Sequence, residues 1–440
     1  MAAVVTTLVQ EVQALRARLL AGERGQAGRL PAADPAGLID LITALEELKS
    51  ASCAAQAEAA TSFDAARRSQ AAAAGVPASR RGVGVANEVA LARRESPHRG
   101  QALLGMAKAL SAEMPHTLDR LRDGSLSEFR AMLLVRESAC LEVEHRILLD
   151  KELCADPACL IGVGTRELMV LARRLVAELD PAAVVRRARK AEVDRTVTVR
   201  PAPDTMGYLT GLMPVAQAVS AYASLRKAAE AARAAGDPRS LGQLMADLLL
   251  TRLTGVADTG SADSAPAVPV ALTITLSDET LAGGHAAADL TAPGVAPEVL
   301  PAEIARLLAG RALESGVAAW FRRLYLSPQG ALVAMTSRQR TFPNGMAEFL
   351  CQRGIGICAT PYCDAPVRHA DHIVGAEYGG QTSLQNGQGL CAACNYAKQA
   401  AGWFQQPLRA PGEPLQVETI TPTGHRYNAR APAPPGRISA

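Results

Sequence analysis

Apolar positions recur at intervals of three and four along the first two-thirds of the chain, the period of helices that bury one face. "TTLVQEVQALRARLLAG" sets Leu8, Val12, Leu15 and Leu19 on one stripe and stops at Gly22. "DPAGLIDLITALEELKSASCAAQAEAA" opens with Asp34 as N-cap and Pro35 at the first helical position. "PHRGQALLGMAKALSAEM" keeps the period, and "DGSLSEFRAMLLVRES" offers Ser125 and Glu128 as a capping box. Helices also fit 164–178, 181–193, 212–235 and 238–254, with almost no period-two alternation among them. Residues 1–257 therefore read as a helical domain.

The pattern changes after "DTGSADSAPAVP" (258–269), a linker of small and turn-forming residues. "VPVALTITL" is a β-branched apolar run that predicts a buried strand, and "AWFRRLYLSPQGALVAMTS" predicts a hairpin turning at "SPQG". Residues 258–340 thus form a mixed α/β connector. A small domain follows at 341–405, and 406–440 is Pro-rich, ends in "RAPAPPGRISA" and reads as a frayed tail.

Composition adds a polarity to this layout. Of 440 residues, 48% are apolar and 20% charged, enough apolar surface for real cores, and the formal net charge is only +3. From Gly310 onward there are 12 Lys and Arg against 7 Asp and Glu, so the preceding residues carry 34 against 36. Eleven of the fifteen aromatics also fall in that last part. A phosphate backbone would be met at this basic, aromatic end, although packing a small core accounts for most aromatics there. The first twenty residues lack the basic start of a signal peptide, and no apolar run approaches a membrane span. A soluble, cytoplasmic protein with no membrane partner is expected. Nine cysteines then point to metal before disulfides. In the helical part, Cys154 and Cys159 lack a second ligand pair. His98, His116 and His145 stand alone, and Arg80, Arg81, Arg93 and Arg94 read as solvated helix faces.

Four cysteines do form a pattern. Cys358 and Cys363 have four residues between them, Cys391 and Cys394 have two, and 27 residues join the pairs. Two close thiol pairs can converge on one tetrahedral ion, and sulfur favours Zn²⁺. Four sulfur ligands fill such a site, so this zinc is structural and cannot activate water. Cys351 is a spare.

The joining stretch holds harder donors. Asp371 offers a carboxylate for a divalent cation, and His372 beside it an imidazole suited to proton transfer. If a strand bearing both returns through "EYGG" to a strand ending near Leu390, a helix starting around Ala392 brings Asn395 near Asp371. A carboxylate and an amide oxygen make an open site for Mg²⁺ or Mn²⁺. His369, two residues before Asp371, would share its strand face, with a structural or surface role preferred for it.

"DHI…N…CAACN…K" resembles the HNH endonuclease motif and its ββα-metal fold, in the variant with an Asp-His pair at the start and Asn at the end. The resemblance implies that His372 is the general base and that Asp371 and Asn395 ligate the catalytic cation. It also implies that Asn386 orients the loop bearing His372 and that Lys398 approaches phosphate. The helical region, "ARKAEVDRTVTVRPAPDTMGYLTGLMP" and "TPTGHRY" are similar to an actinobacterial family of mycobacterial repeat-element type. There a helical domain of unknown function precedes a C-terminal HNH domain. Typical members have His where this chain has Asn395, and the amide shifts the expected metal toward Mg²⁺ or Mn²⁺. The implied partner is double-stranded DNA, and RNA, which offers the same phosphodiester, stays open. The alternatives are a non-catalytic zinc-braced DNA-binding module and an interaction scaffold, and the long Ala-rich helices suit self-association into a homo-oligomer.

Overall fold

The computed structural model describes residues 2–21, 35–255, 272–292, 295–314, 336–337, 341–408 and 415–432. Helices come first: α1 (Ala2–Ala21), α2 (Pro35–Ala73), α3 (Val85–Arg93), α4 (Pro97–Ala112), α5 (Pro115–Arg122), α6 (Glu128–Ser138), α7 (Val143–Cys154), α8 (Thr165–Leu179) and α9 (Pro181–Val193). Four of them begin on a proline, whose fixed φ suits the first turn and whose missing N–H is not needed there. The helix ends largely follow the sequence pattern. One cap differs: Ser127, not Ser125, caps α6 by accepting from Arg130 N–H, while Ser125 bonds Asp123 Oδ1 in the preceding turn.

The hairpin β1 (Thr196–Ala202) and β2 (Met206–Leu212) interrupts the helices and corrects the all-helical reading. Its strands pair from Thr196↔Leu212 to Ala202↔Met206, and Asp204 and Thr205 take φ of 62° and 60° at the turn. Two positive φ values match the twist of a tight hairpin. Helices α10 (Val215–Ala234) and α11 (Leu241–Thr254) follow, the second opened by a full capping box from Ser240 and Gln243.

The chain forms two compact units, which do not divide at residue 257. One comprises Met1–Ala59 and Ala109–Leu179. Its core includes Met114, Leu121, Leu126, Leu134, Leu149 and Leu168. Buried Asp150 caps the start of α5, accepting from the backbone of His116 and Thr117 at 2.8 Å each and from Thr117 Oγ1 at 2.6 Å. Cys154 is buried with its Sγ 3.4 Å from Thr117 Oγ1, whereas Cys159 is exposed.

The other unit comprises Ala60–Lys108 and Asp180–Ala440. Strands β3 (Thr273–Thr275), β4 (Ala288–Ala292) and β5 (Val295–Leu300) make an antiparallel sheet, with the short α12 (Asp278–Leu281) between β3 and β4. Helix α13 (Ala302–Glu314) joins that sheet in a core of Ala288, Leu300 and Ala305. The mixed α/β character of the connector is thus present. Its linker at 258–269 and the hairpin at "SPQG" lie outside the described residues, save Thr336–Ser337, which form β6.

Next come α14 (Asn344–Arg353), β7 (His369–His372), β8 (Thr382–Ser383), β9 (Gly387–Leu390) and α15 (Ala392–Lys398). Strand β6 pairs with β8, and β7 pairs antiparallel with β9. The segment read as a frayed tail instead builds a three-stranded antiparallel sheet of β10 (Phe404–Pro407), β11 (Gln416–Ile420) and β12 (Arg426–Arg430). Leu415 and Val417 pack it onto Ile373, the residue after β7. No described helix is long and apolar enough to cross a membrane.

Candidate functional site

Two antiparallel strands and the helix after them organise the site. In β7 and β9 the register runs from His369↔Leu390 to His372↔Gly387, and α15 starts two residues past β9. Cys391 is its N-cap, the sulfur accepting from Cys394 N–H at 3.4 Å. Cys358 and Cys363 come from the turns before β7. All four sulfurs are buried and lie within 4.8 Å of one another. Cys363 Sγ and Cys391 Sγ stand 3.8 Å apart. Sulfurs about 2.3 Å from a tetrahedral centre would be about 3.8 Å apart, so the spacing fits zinc. The thiols hydrogen-bond one another, which holds Cys391 far below the usual thiol range and pushes Cys363 and Cys394 above it, so one thiolate is stabilised by its neighbours' protons. Among the described residues, these thiols are the group of three or more His, Cys, Asp and Glu side chains close enough to share an ion.

Strand alternation divides the remaining candidates between two faces. His369 and Asp371 face α15. Asn395 Nδ2 lies 2.9 Å from His369 Nδ1, and Lys398 Nζ donates to Asp371 Oδ2 at 2.5 Å and to the His372 carbonyl. Asn395 Oδ1 is buried and has no hydrogen-bond partner. His372 faces the other way. Its Nε2 lies 2.9 Å from Thr382 Oγ1, and its ring centroid is 4.6 Å from that of Phe342. The side chain is 9% exposed, and burial pushes its pKa below the ordinary value, with the Asp371 carboxylate opposing. The structure therefore makes two pairs on this face, Asn395 with His369 and Lys398 with Asp371, while the His372 side chain lies on the opposite face.

Asn386 lies on neither face. Its Oδ1 accepts from Val374 N–H at 2.9 Å, and its Nδ2 donates to the carbonyls of Val374 at 3.0 Å and Gln381 at 2.9 Å. One carboxamide thus ties both ends of the loop that follows His372. Gly380 fits within this loop, where a Cβ would overlap the Val374 carbonyl oxygen.

The family described as "Domain of unknown function (DUF222)" matches residues 44–353, more than two-thirds of the chain. The chain belongs to the DUF222 family. No curated protein and no solved structure matches it. The DUF222 match ends on Arg353, the last residue of α14, just before the cysteine quartet.

The end of the DUF222 segment nevertheless supports the strands. Met346, Phe349 and Leu350 of α14 form a core with Leu384, against which Ala370 and Phe342 pack. Earlier in the same segment, Gly84 has φ 84° and stands so close to Trp403 that a Cβ would lie 2.7 Å from Nε1. Behind β9, Gln388 Nε2 donates to Gln405 Oε1 at 2.6 Å, and Gln405 Nε2 donates to Thr419 Oγ1 at 3.0 Å, tying the site to the C-terminal sheet. Sequence reasoning missed Thr382, a lone buried threonine with no pattern to mark it; the contact of His369 with Asn395 agrees with the structural role preferred for that histidine.

Proposed function

We propose that this DUF222 protein is a metal-dependent endonuclease of the HNH type, hydrolysing phosphodiester bonds of DNA in the cytoplasm. The Asn395 carboxamide carries the reading. Its Nδ2 is engaged by His369 while its buried Oδ1 is unpaired, one residue beyond the last thiol. An unpaired buried acceptor costs about 1–3 kcal/mol, and a hard cation would relieve that cost. Asp371 and Asn395 would hold Mg²⁺ or Mn²⁺. Such a cation, when bound, stabilises negative charge on the phosphate and on the leaving 3′-oxygen.

The remaining roles fall to side chains of this chain. In the tautomer that donates Nε2–H to Thr382 Oγ1, the His372 imidazole would keep its Nδ1 lone pair for the proton of the attacking water. Asn386 fixes the loop that follows His372. Lys398, released from Asp371, meets phosphate as a point charge. The product bears a 5′-phosphate. One chain supplies one His372, so each site cuts one strand.

The 2.5 Å Lys398–Asp371 ion pair favours a second reading, a zinc-braced DNA-binding module whose lysine closes off the carboxylate. Nicking of supercoiled plasmid by the full chain in Mg²⁺, Mn²⁺ or EDTA separates the two. The nuclease reading expects metal-dependent nicking that His372→Ala abolishes. Binding without nicking under every condition supports the module, and nicking that survives His372→Ala removes the assigned base.

A further inference from the structure

Helix α1 presents a seam that the described residues leave largely uncovered, with Leu15 half-buried. Val5, Leu8, Val12, Leu15 and Leu19 follow at spacings of three, four, three and four residues. Val5 is 61% exposed, Leu8 54%, Val12 66% and Leu19 49%. A 3-4 spacing is the period of a helix packed along another helix, whereas packing onto a globular core uses a wider apolar stripe.

The seam also carries information about its occupant. Val5, Val12 and Leu19 fall at the first core position of each heptad and Leu8 and Leu15 at the second. Mainly β-branched residues at the first position with leucine at the second favour a parallel, two-stranded pair. Thr6, Gln10 and Gln13 lie on the outer positions. Glu11 and Arg16 flank the seam, five residues apart. In a parallel, in-register pair of identical helices, Glu11 of each copy faces Arg16 of the other, giving two opposite-charge pairs. An antiparallel pair would set Glu11 against Glu11 and Arg16 against Arg16. Two heptads are short for an isolated coiled coil. Exposed Ile39, Ile42 and Leu45 of α2, in the same compact unit, add apolar surface for a second copy to cover.

We infer that α1 is a parallel dimerisation helix whose partner is a second copy of this chain. The inference stands without the nuclease reading. If that reading also holds, the dimer supplies two sites, one for each strand of a duplex.

Light scattering of the full chain during size-exclusion chromatography tests it. The wild type should run at twice 46.0 kDa. The double variant Leu8→Asp with Leu15→Asp should run as a monomer that still unfolds cooperatively, at a temperature no longer dependent on protein concentration. Glu11→Arg and Arg16→Glu should each weaken the dimer on the order of tenfold, and the two together should restore it. The charge variants change exposed side chains, so they remain informative if the aspartates disturb folding. A monomeric wild type at tens of micromolar, or a dimer that survives both aspartates, would overturn the inference. Failure of the combined charge exchange to restore association would overturn the parallel pairing.

Discussion

Asn395 sits one covalent bond past a zinc-ligand candidate, and its carboxamide is held by a histidine two positions upstream of Asp371. An amide can present either oxygen or nitrogen. The bond from Nδ2 to His369 turns Oδ1 toward the unpaired position. His369→Ala should therefore raise the Mn²⁺ concentration for half-maximal nicking by about tenfold or more, with zinc content unchanged. An unaltered Mn²⁺ requirement would leave His369 a structural neighbour only. A second residue-scale outcome concerns the other compact unit. Burial pushes the Cys154 thiol up to about 11. At pH 8 only about one molecule in a thousand then carries that thiolate. Iodoacetamide at pH 8 should label exposed Cys159 and spare Cys154, with Cys154 labelling appearing as pH approaches 11; peptide mass spectrometry reads both. The cluster of Cys358, Cys363, Cys391 and Cys394 was legible in the sequence because donor chemistry and spacing mark it. Thr382 was not, since a threonine that bonds a histidine ten residues away looks like any other threonine.

Among the elements, long helices with three-four periodicity were readable almost to their ends, because prolines and caps punctuate them. The cap of α6 was misplaced by two residues, since Ser125 and Ser127 both precede Glu128. Ser127→Ala should cost about 1 kcal/mol of stability in denaturant unfolding, and Ser125→Ala clearly less. Equal losses would contradict the assigned cap. The β1–β2 hairpin was missed because its turn is Asp204-Thr205, without the glycine that usually marks two positive φ values, and because its strands are largely exposed. The C-terminal sheet was missed for a different reason. Prolines dominate its ends, while its buried Val417 and Thr419 become meaningful only against Ile373 and Gln405.

On the scale of the whole molecule, two arrangements of donors share one strand-strand-helix unit but serve separate ends. The four buried thiols lie close enough to hold one ion, and Cys391 caps the start of α15. In the proposed nuclease, Asp371 and Asn395 would be the oxygen donors to a cation with positions open for water and phosphate. The DUF222 segment reaches this strand-strand-helix unit through α14 and through Gly84, the residue before α3. The claim that the two sets are distinct is tested by titrating the zinc-loaded full chain with Mn²⁺ and following the free ion by electron paramagnetic resonance. The account predicts one Mn²⁺ per chain beyond the zinc, bound more than about tenfold more weakly in Asp371→Ala and in Asn395→Ala while zinc content holds. Mn²⁺ binding that is absent, or that neither substitution weakens, would contradict it.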